Sequence, residues 1–394
     1  MASLSKIFIV CICLFASTSL FAQQAQVDSL DRLLNSSLKE GNGARVDALV
    51  EISELLLRID PDRSLELSKE ALRLSVMLGY QEQISHIYNN TGMANRLKGA
   101  YEKSLSFHNR ALENDRKNGS RKDEALSLNN IGNVFLMQGQ YGKAISNYER
   151  SLEIRQDISD LEGVASSLNN LGLVYKNQGD LDRALAYYQN AFKIFQQLGD
   201  KVGMANELNN FGIIYRGNGN QERALDNFLS ALSLFRELGN KVGEANTLNN
   251  IGNIYYQQEK FEQALEFYQN SLSISEEIGD KNSMAGKNSN IGGVYLAIGN
   301  KEKALAFTEK ALSLQKGIGD DKGQISTLNN LGAYFMEEGD LDKSLGYFIA
   351  AEKIENRIGD HSYSTITLSS IGDIYNRTKK PEQGLKYLTR ALKE

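Results

Sequence analysis

The sequence predicts an all-α solenoid of about nine stacked helix–turn–helix units. Three observations carry that prediction. A glycine returns every 40 residues, at Gly92, Gly132, Gly172, Gly212, Gly252, Gly292, Gly332 and Gly372. Its surroundings return with it: Leu168-Asn169-Asn170-Leu171-Gly172-Leu173-Val174-Tyr175 is echoed by Leu248-Asn249-Asn250-Ile251-Gly252-Asn253-Ile254-Tyr255 and by Leu328-Asn329-Asn330-Leu331-Gly332-Ala333-Tyr334-Phe335. The 394 residues hold only 2 prolines, and no alternating β-branched run suggests a sheet. Each unit of such an array buries its apolar face against its neighbours, and the array acts through a long surface.

The elements follow in chain order. Lys6, the apolar run from Ile7 to Phe15 and the small residue Ala22 have the order of a secretory signal peptide, 1–22. The stretch is short for a membrane span of about 20 residues, so cleavage after Ala22 is expected over an uncleaved anchor. Cys11 and Cys13 both lie inside it and lack the preceding small residue of a lipoprotein cysteine, so the mature chain is expected to be exported, periplasmic or extracellular, without disulfides. Residues 23–43, with Gly41-Asn42-Gly43, read as a short leader segment. The array occupies 44–394. Its units lie near 44–80, 81–120, 121–160, 161–200, 201–240, 241–280, 281–320, 321–360 and 361–394. The first lacks the glycine, but Pro61 lies eight periods before Pro381, and each proline suits the first position of a second helix.

The unit from Ala165 to Asp200 shows the pattern. Leu168, Leu171, Gly172 and Tyr175 share one face of a helix A. Gly179 suits a left-handed helix terminus and Asp180 the N-cap of helix B. Ala184, Tyr188, Ala191 and Phe192 form the apolar stripe of helix B, and Leu198-Gly199-Asp200 closes it. Each helix is expected to run about 16–18 residues, or roughly 25 Å. Gly172 and Ala184 are expected to let the two backbones approach, offsetting the roughly 1 kcal/mol that glycine costs in a helix. Tyr148, Tyr188, Phe228, Tyr268 and Phe348 are expected to fill the space between units.

Leu-x-x-Leu-Gly-x-x-Tyr followed by Ala, aromatic and Ala resembles the tetratricopeptide repeat. The 40-residue period, paired asparagines and Gly-Asp linker are similar to the long-unit class found in kinesin light chains, spindle-orientation adaptors and bacterial sensors. The resemblance covers about residues 44–394 and implies a right-handed solenoid with a concave groove lined by the A helices. The chain departs from the pattern where Leu128, Leu168 and Leu208 replace a tryptophan common in helix A.

Composition and motifs argue against other classes. A net charge of −5 without basic clusters speaks against nucleic acid. His86, His108 and His361 lie in different units without ligand spacing. Gly217-Asn218-Gly219-Asn220 lacks the lysine of a phosphate loop. No catalytic site, cofactor or metal is expected.

Numbering a unit so that its glycine is position 8 puts positions 2, 5, 9, 12 and 13 opposite the packing face. The resemblance places that side in the groove. Position 5 is Asn89, Asn129, Asn169, Asn209, Asn249, Ser289, Asn329 and Ser369. Asparagine is a poor helix-interior residue, so the column needs a reason. Each amide offers a donor and an acceptor to the backbone of an extended peptide. The alternative is that the amides bond to the next helix A and hold the stack together. Position 6, Asn90 to Asn330, reads as mainly inter-unit bonding. Arg96, Lys176 and Arg216 at position 12 offer basic groups, while Leu296, Ala297, Ala333 and Met336 offer an apolar stretch that Leu136 and Met137 extend.

Two functions fit. One is an exported, non-catalytic scaffold that binds a protein or extended peptide. The other is the ligand-sensing part of a bacterial membrane signalling protein whose kinase, cyclase or DNA-binding output domain lies beyond Glu394. Leu385, Leu388 and Leu392 on the last helix predict an uncovered apolar face, met by further chain, a partner or a second copy. No membrane span is expected in the mature chain.

Overall fold

The computed structural model describes residue 32 and residues 43–57, 60–81, 83–359 and 361–393. The expected signal peptide, its two cysteines and nearly all of the leader segment lie outside the described residues. Among the described residues are 18 α-helices and no strand. They are α1 (Gly43–Leu56), α2 (Pro61–Leu78), α3 (Ile84–Leu97), α4 (Tyr101–Asn118), α5 (Arg121–Met137) and α6 (Tyr141–Asp157). Then come α7 (Leu161–Asn177), α8 (Leu181–Leu198), α9 (Lys201–Gly217), α10 (Gln221–Glu237), α11 (Lys241–Gln257) and α12 (Phe261–Glu277). The last six are α13 (Lys281–Ala297), α14 (Lys301–Ile318), α15 (Asp321–Glu337), α16 (Leu341–Ile358), α17 (Ser364–Arg377) and α18 (Pro381–Ala391). Odd-numbered helices are the A helices and even-numbered ones the B helices. The chain divides into two compact units, one ending at Asn240 and one beginning at Lys241.

Local chemistry sets the helix ends. The side chain of Asp180 accepts from the backbone N–H of Arg183 at 3.0 Å, and Asp200 does the same for Gly203 at 3.0 Å. Pro61 and Pro381 open α2 and α18, where a missing N–H is harmless. Among the described residues, the residue ahead of most caps is left-handed. Glycine usually holds this place, as at Gly179 with φ 81°, but Ser159 (φ 58°), Glu259 (φ 58°) and Lys379 (φ 60°) adopt the same conformation.

The recurring glycine has a second use beyond the backbone approach its spacing suggested. A Cβ on Gly172 would stand 2.7 Å from the ring of Tyr188, and one on Gly132 would stand 2.6 Å from the ring of Tyr148. The same holds for Gly212 with Phe228, Gly252 with Tyr268 and Gly332 with Phe348. The space left by the glycine is thus filled by a flat ring from the B helix of its own pair. The backbones also approach: the Ala304 carbonyl oxygen lies 3.3 Å from the Cβ position of Gly292, and the Gly384 carbonyl oxygen 3.2 Å from that of Gly372. On its other side the ring meets the next A helix: Tyr188 clusters with Phe211 and Ile214, and Phe348 with Ile371 and Ile374. One buried aromatic therefore joins three helices. His108 takes this place over Gly92.

Within the compact units, successive A helices also touch directly, α1 with α3, α3 with α5, and α15 with α17. At the last helix, Leu385 and Leu392 are exposed, at 67% and 88%. Leu388 is a correction: its side chain sits over Gly372, in the place of the aromatic ring, and is half-buried.

Candidate binding surface

The edge of the A helices carries the asparagine column, and its hydrogen bonds divide the two asparagines of each unit into distinct roles. In the first compact unit, the Nδ2 of Asn170 donates to the Oδ1 of Asn129 at 2.8 Å, and Asn210 to Asn169 at 3.2 Å. In the second, Asn290 donates to Asn249 at 2.9 Å. Position 6 of one unit thus clamps the carbonyl oxygen of position 5 in the unit before. Asn90 begins the series by donating to the carbonyl of Val50 at 3.2 Å. The bonds tie neighbouring A helices together and leave the position-5 NH2 group to other partners.

Those partners differ along the chain. Asn89 is buried, donates to Ser127 at 2.9 Å and accepts from the Nδ1 of His108 at 2.8 Å. Burial, with the positive charge of Arg96, lowers the His108 pKa to about 3, so the ring is neutral. Asn129 is also buried. Asn329 accepts from Thr367 at 3.1 Å, and its Nδ2 is buried without a hydrogen-bond partner. Asn169, Asn209 and Asn249 are half-buried, and the NH2 groups of Asn169 and Asn249 make no hydrogen bond among the described residues.

The other sequence-selected residues are spread along the same edge. Arg96 on α3, Lys176 on α7 and Arg216 on α9 are half-buried. Burial lowers the Lys176 pKa, and neither Lys176 nor Arg216 has an acidic partner among the described residues. Met336 is half-buried because it packs against the Phe348, Ile371 and Ile374 cluster. Leu296 is 46% exposed, and it stands at a cavity of about 200 Å³ between α13, α14 and α15. Ser289, Gly293, Thr308, Asn330 and Tyr334 also line that cavity. Of these, Thr308 and Tyr334 lie outside the positions that helix periodicity marks as surface-facing. The readable signal is that residue 308 interrupts the aromatic column.

Aromatic stacks join A and B helices of the same pair. Tyr175 stacks on Tyr187 with centroids 5.3 Å apart, and Tyr295 on Phe307 at 5.5 Å. Arg183 lies 4.5 Å from the Tyr175 ring centroid and Lys303 lies 5.0 Å from that of Tyr295. No group of three or more metal-ligating side chains is found among the described residues. No described helix is long and apolar enough to cross a membrane.

The tetratricopeptide repeat profile matches residues 83–157, 163–237, 243–317 and 323–393. The chain belongs to the tetratricopeptide repeat family. The profile begins after α1 and α2, so this first pair of the tetratricopeptide array lies upstream of the match. No curated protein sequence matches the chain. Among solved structures, the array is similar to the apo form of the quorum sensor NprR from B. thuringiensis. The two are 16% identical with a TM-score of 0.61, over 85% of this chain and 95% of that one. It is also similar to a signal-transduction ATPase with numerous domains and a tetratricopeptide repeat sensor, from Pyrococcus horikoshii. There the identity is 16% and the TM-score 0.59, over 90% of this chain and 53% of that one, so the tetratricopeptide array spans about half of that protein. A third similar structure is a Rap protein complexed with Competence and Sporulation Factor, 18% identical with a TM-score of 0.54, over 88% of this chain and 96% of that chain. At these identities the likeness is one of fold.

Proposed function

We propose that this chain is an exported, non-catalytic scaffold that holds an extended polypeptide along the exposed edge of its A helices. The observation that carries the reading is the division of labour in the asparagine column. The position-6 amides hold the stack, and the NH2 groups of Asn169 and Asn249 are left as donors on the surface. Such donors suit the backbone carbonyls of a chain of any sequence. Lys176 and Arg216, which lack acidic partners among the described residues, add attraction for acidic side chains or a terminal carboxylate. Two proteins of similar fold were solved with a bound factor or peptide, the Rap protein with Competence and Sporulation Factor and a Rap conjugation regulator with the Phr* peptide. Export rests on the order of Lys6, Ile7 to Phe15 and Ala22. The non-catalytic reading rests on the family and on the roles of its titratable groups: His108 is packed neutral, and Asp180 and Asp200 cap helices.

The second reading, the sensor part of a larger signalling protein, draws support from the likeness to an ATPase that carries such an array as its sensor. Both readings share one binding surface, and one experiment tests it. Peptides are selected from a random extended-peptide library on the mature protein, and their affinity is measured for three proteins. Asn169→Asp with Asn249→Asp, which keeps the oxygens clamped by Asn210 and Asn290 but replaces the NH2 donors, should weaken binding about tenfold with little change in melting temperature, since one surface hydrogen bond is worth about 0.5–1.5 kcal/mol. Asn170→Ala should lower the melting temperature instead, because it removes the clamp on Asn129. If no peptide is selected, or if the Asn169 and Asn249 changes alter stability alone, the column is structural and the reading fails.

A further inference from the structure

We infer that the cavity beside Gly292 is an aromatic-side-chain socket, into which the bound polypeptide inserts a Phe or Tyr ring. The inference rests on the proposed binding of a polypeptide at the A-helix edge. In five other pairs the recurring glycine is covered by Tyr148, Tyr188, Phe228, Tyr268 or Phe348. Each of these rings is almost fully buried. Over Gly292 stands Thr308, whose Oγ1 lies 2.8 Å from the glycine's Cβ position but which brings no ring. Its short side chain bends back to donate to the carbonyl of Ala304 at 2.8 Å.

The walls that grip the ring elsewhere are present with one change, Tyr334 standing where Val134, Val174, Ile214, Ile254, Val294 and Ile374 stand in other units. Tyr268 sits between Gly252 and the pair Ile291 and Val294 of the following A helix. Around Thr308 the equivalent residues are Gly292, Leu331 and Tyr334, and all three line the cavity. The α14 backbone lies against Gly292, with the Ala304 carbonyl oxygen 3.3 Å from its Cβ position, and the space the ring would fill is still not closed. The helices leave about 200 Å³, and apolar cavities of roughly 150 Å³ admit a benzene ring.

Two further departures from the repeat fall at the same place. Position 5 is Ser289, so the amide clamp is interrupted there: Asn330 is exposed and makes no side-chain hydrogen bond among the described residues. Position 9 is Gly293, where Asn133 and Asn253 elsewhere accept the hydroxyls of Tyr148 and Tyr268 at 2.7 and 2.6 Å. A glycine there widens the entrance. Ser289, Asn330 and the exposed Leu296 surround it, so a polypeptide lying on this edge reaches the socket with one side chain. The missing plug, the broken clamp and the widened entrance coincide in one pair of helices, which distinguishes a socket from a packing defect.

The test uses the full mature chain and 4-fluorophenol as a probe, followed by ¹⁹F NMR. The wild-type protein should bind one equivalent with a dissociation constant on the order of a millimolar or tighter, as expected for a ligand of about eight heavy atoms. Thr308→Tyr should refill the socket, raise the melting temperature and abolish probe binding. Thr308→Leu, which copies Leu388 over Gly372, should also block the probe and covers the case in which the tyrosine variant folds poorly. Thr308→Ala should keep binding. A wild-type protein that does not bind the probe, or filled variants that bind it as wild type does, overturns the proposal. For a library-selected peptide, Thr308→Tyr should weaken binding at least tenfold, and replacing the peptide's aromatic residue by Ala should do the same for the wild-type protein. Peptide binding that survives filling overturns the socket and leaves the A-helix edge standing. Probe binding blocked by filling, with no peptide bound at all, overturns the polypeptide reading and leaves the socket as an aromatic site.

Discussion

Replacing Gly172 by alanine sets two terms of opposite sign against each other. Alanine is the better helix former by about 1 kcal/mol. The new Cβ, however, would lie 2.7 and 2.8 Å from two carbons of the Tyr188 ring. Atoms do not approach so closely without something moving. The ring is 1% exposed and is held on its far side by Phe211 and Ile214, so it has no room to retreat. Overpacking of this kind costs about 1–3 kcal/mol, and the rigid surroundings favour the upper part of that range. The net expectation is a loss of about 1–2 kcal/mol, or a fall in melting temperature of roughly 3–6 °C. Gly142→Ala is the control within the same compact unit: it lies in α6 with nothing within 4 Å of its Cβ position. That change should leave stability unchanged or slightly raised. Thermal unfolding by circular dichroism compares the two. If Gly172→Ala melts at or above the wild-type temperature, the glycine is not there to seat the ring.

Two other outcomes follow from buried or strained groups. Glu259→Gly should stabilise the protein by up to about 1 kcal/mol in chemical denaturation, because Glu259 is held at φ 58° where most other linkers place glycine. Glu207 is 1% exposed, and burial raises its pKa to about 7 despite the hydrogen bond from Asn210. The folded state therefore keeps a proton that the unfolded chain releases above its ordinary value of 4.5. Stability should fall as pH rises from about 4.5 to about 7 and then level off, with a total change on the order of 3 kcal/mol. Glu207→Gln should remove this slope in denaturation curves across that range, and a slope that survives the change would assign it to other groups.

Much of the fold is legible from sequence because the repeat supplies many copies of each local rule. The Asp180 and Asp200 caps and the two helix-opening prolines are local chemistry and need no partner to be read. The site is less legible because it depends on distances between helices. Helix periodicity places position 5 on the exposed side, yet Asn89, Asn129 and Asn329 are buried. Single-helix geometry leaves out the neighbouring A helix, which supplies the partners of these amides, Ser127 for Asn89, Asn170 for Asn129 and Thr367 for Asn329. Leu388 reads as an exposed apolar residue until Gly372 is seen beneath it. The break at Thr308 is visible in the aromatic column. That it opens a cavity is not, because a gap of one ring can equally be closed by a small shift of the flanking helices. Here Gly292, Leu331 and Tyr334 keep their places around it. The export signal lies outside the described residues and rests on sequence alone.

The central claim is that a polypeptide lies on the A-helix edge. Photocrosslinking of a selected peptide tests it most directly, with benzoylphenylalanine placed in turn at two exposed positions. Glu337 is at the mouth of the socket on α15, and Ile349, in the same compact unit, is on the B helix α16 and 38% exposed. The account predicts a crosslink from position 337 that excess unlabelled peptide suppresses, and none from position 349. Specific crosslinking from position 349 with none from position 337 would place the ligand on the B helices and contradict it.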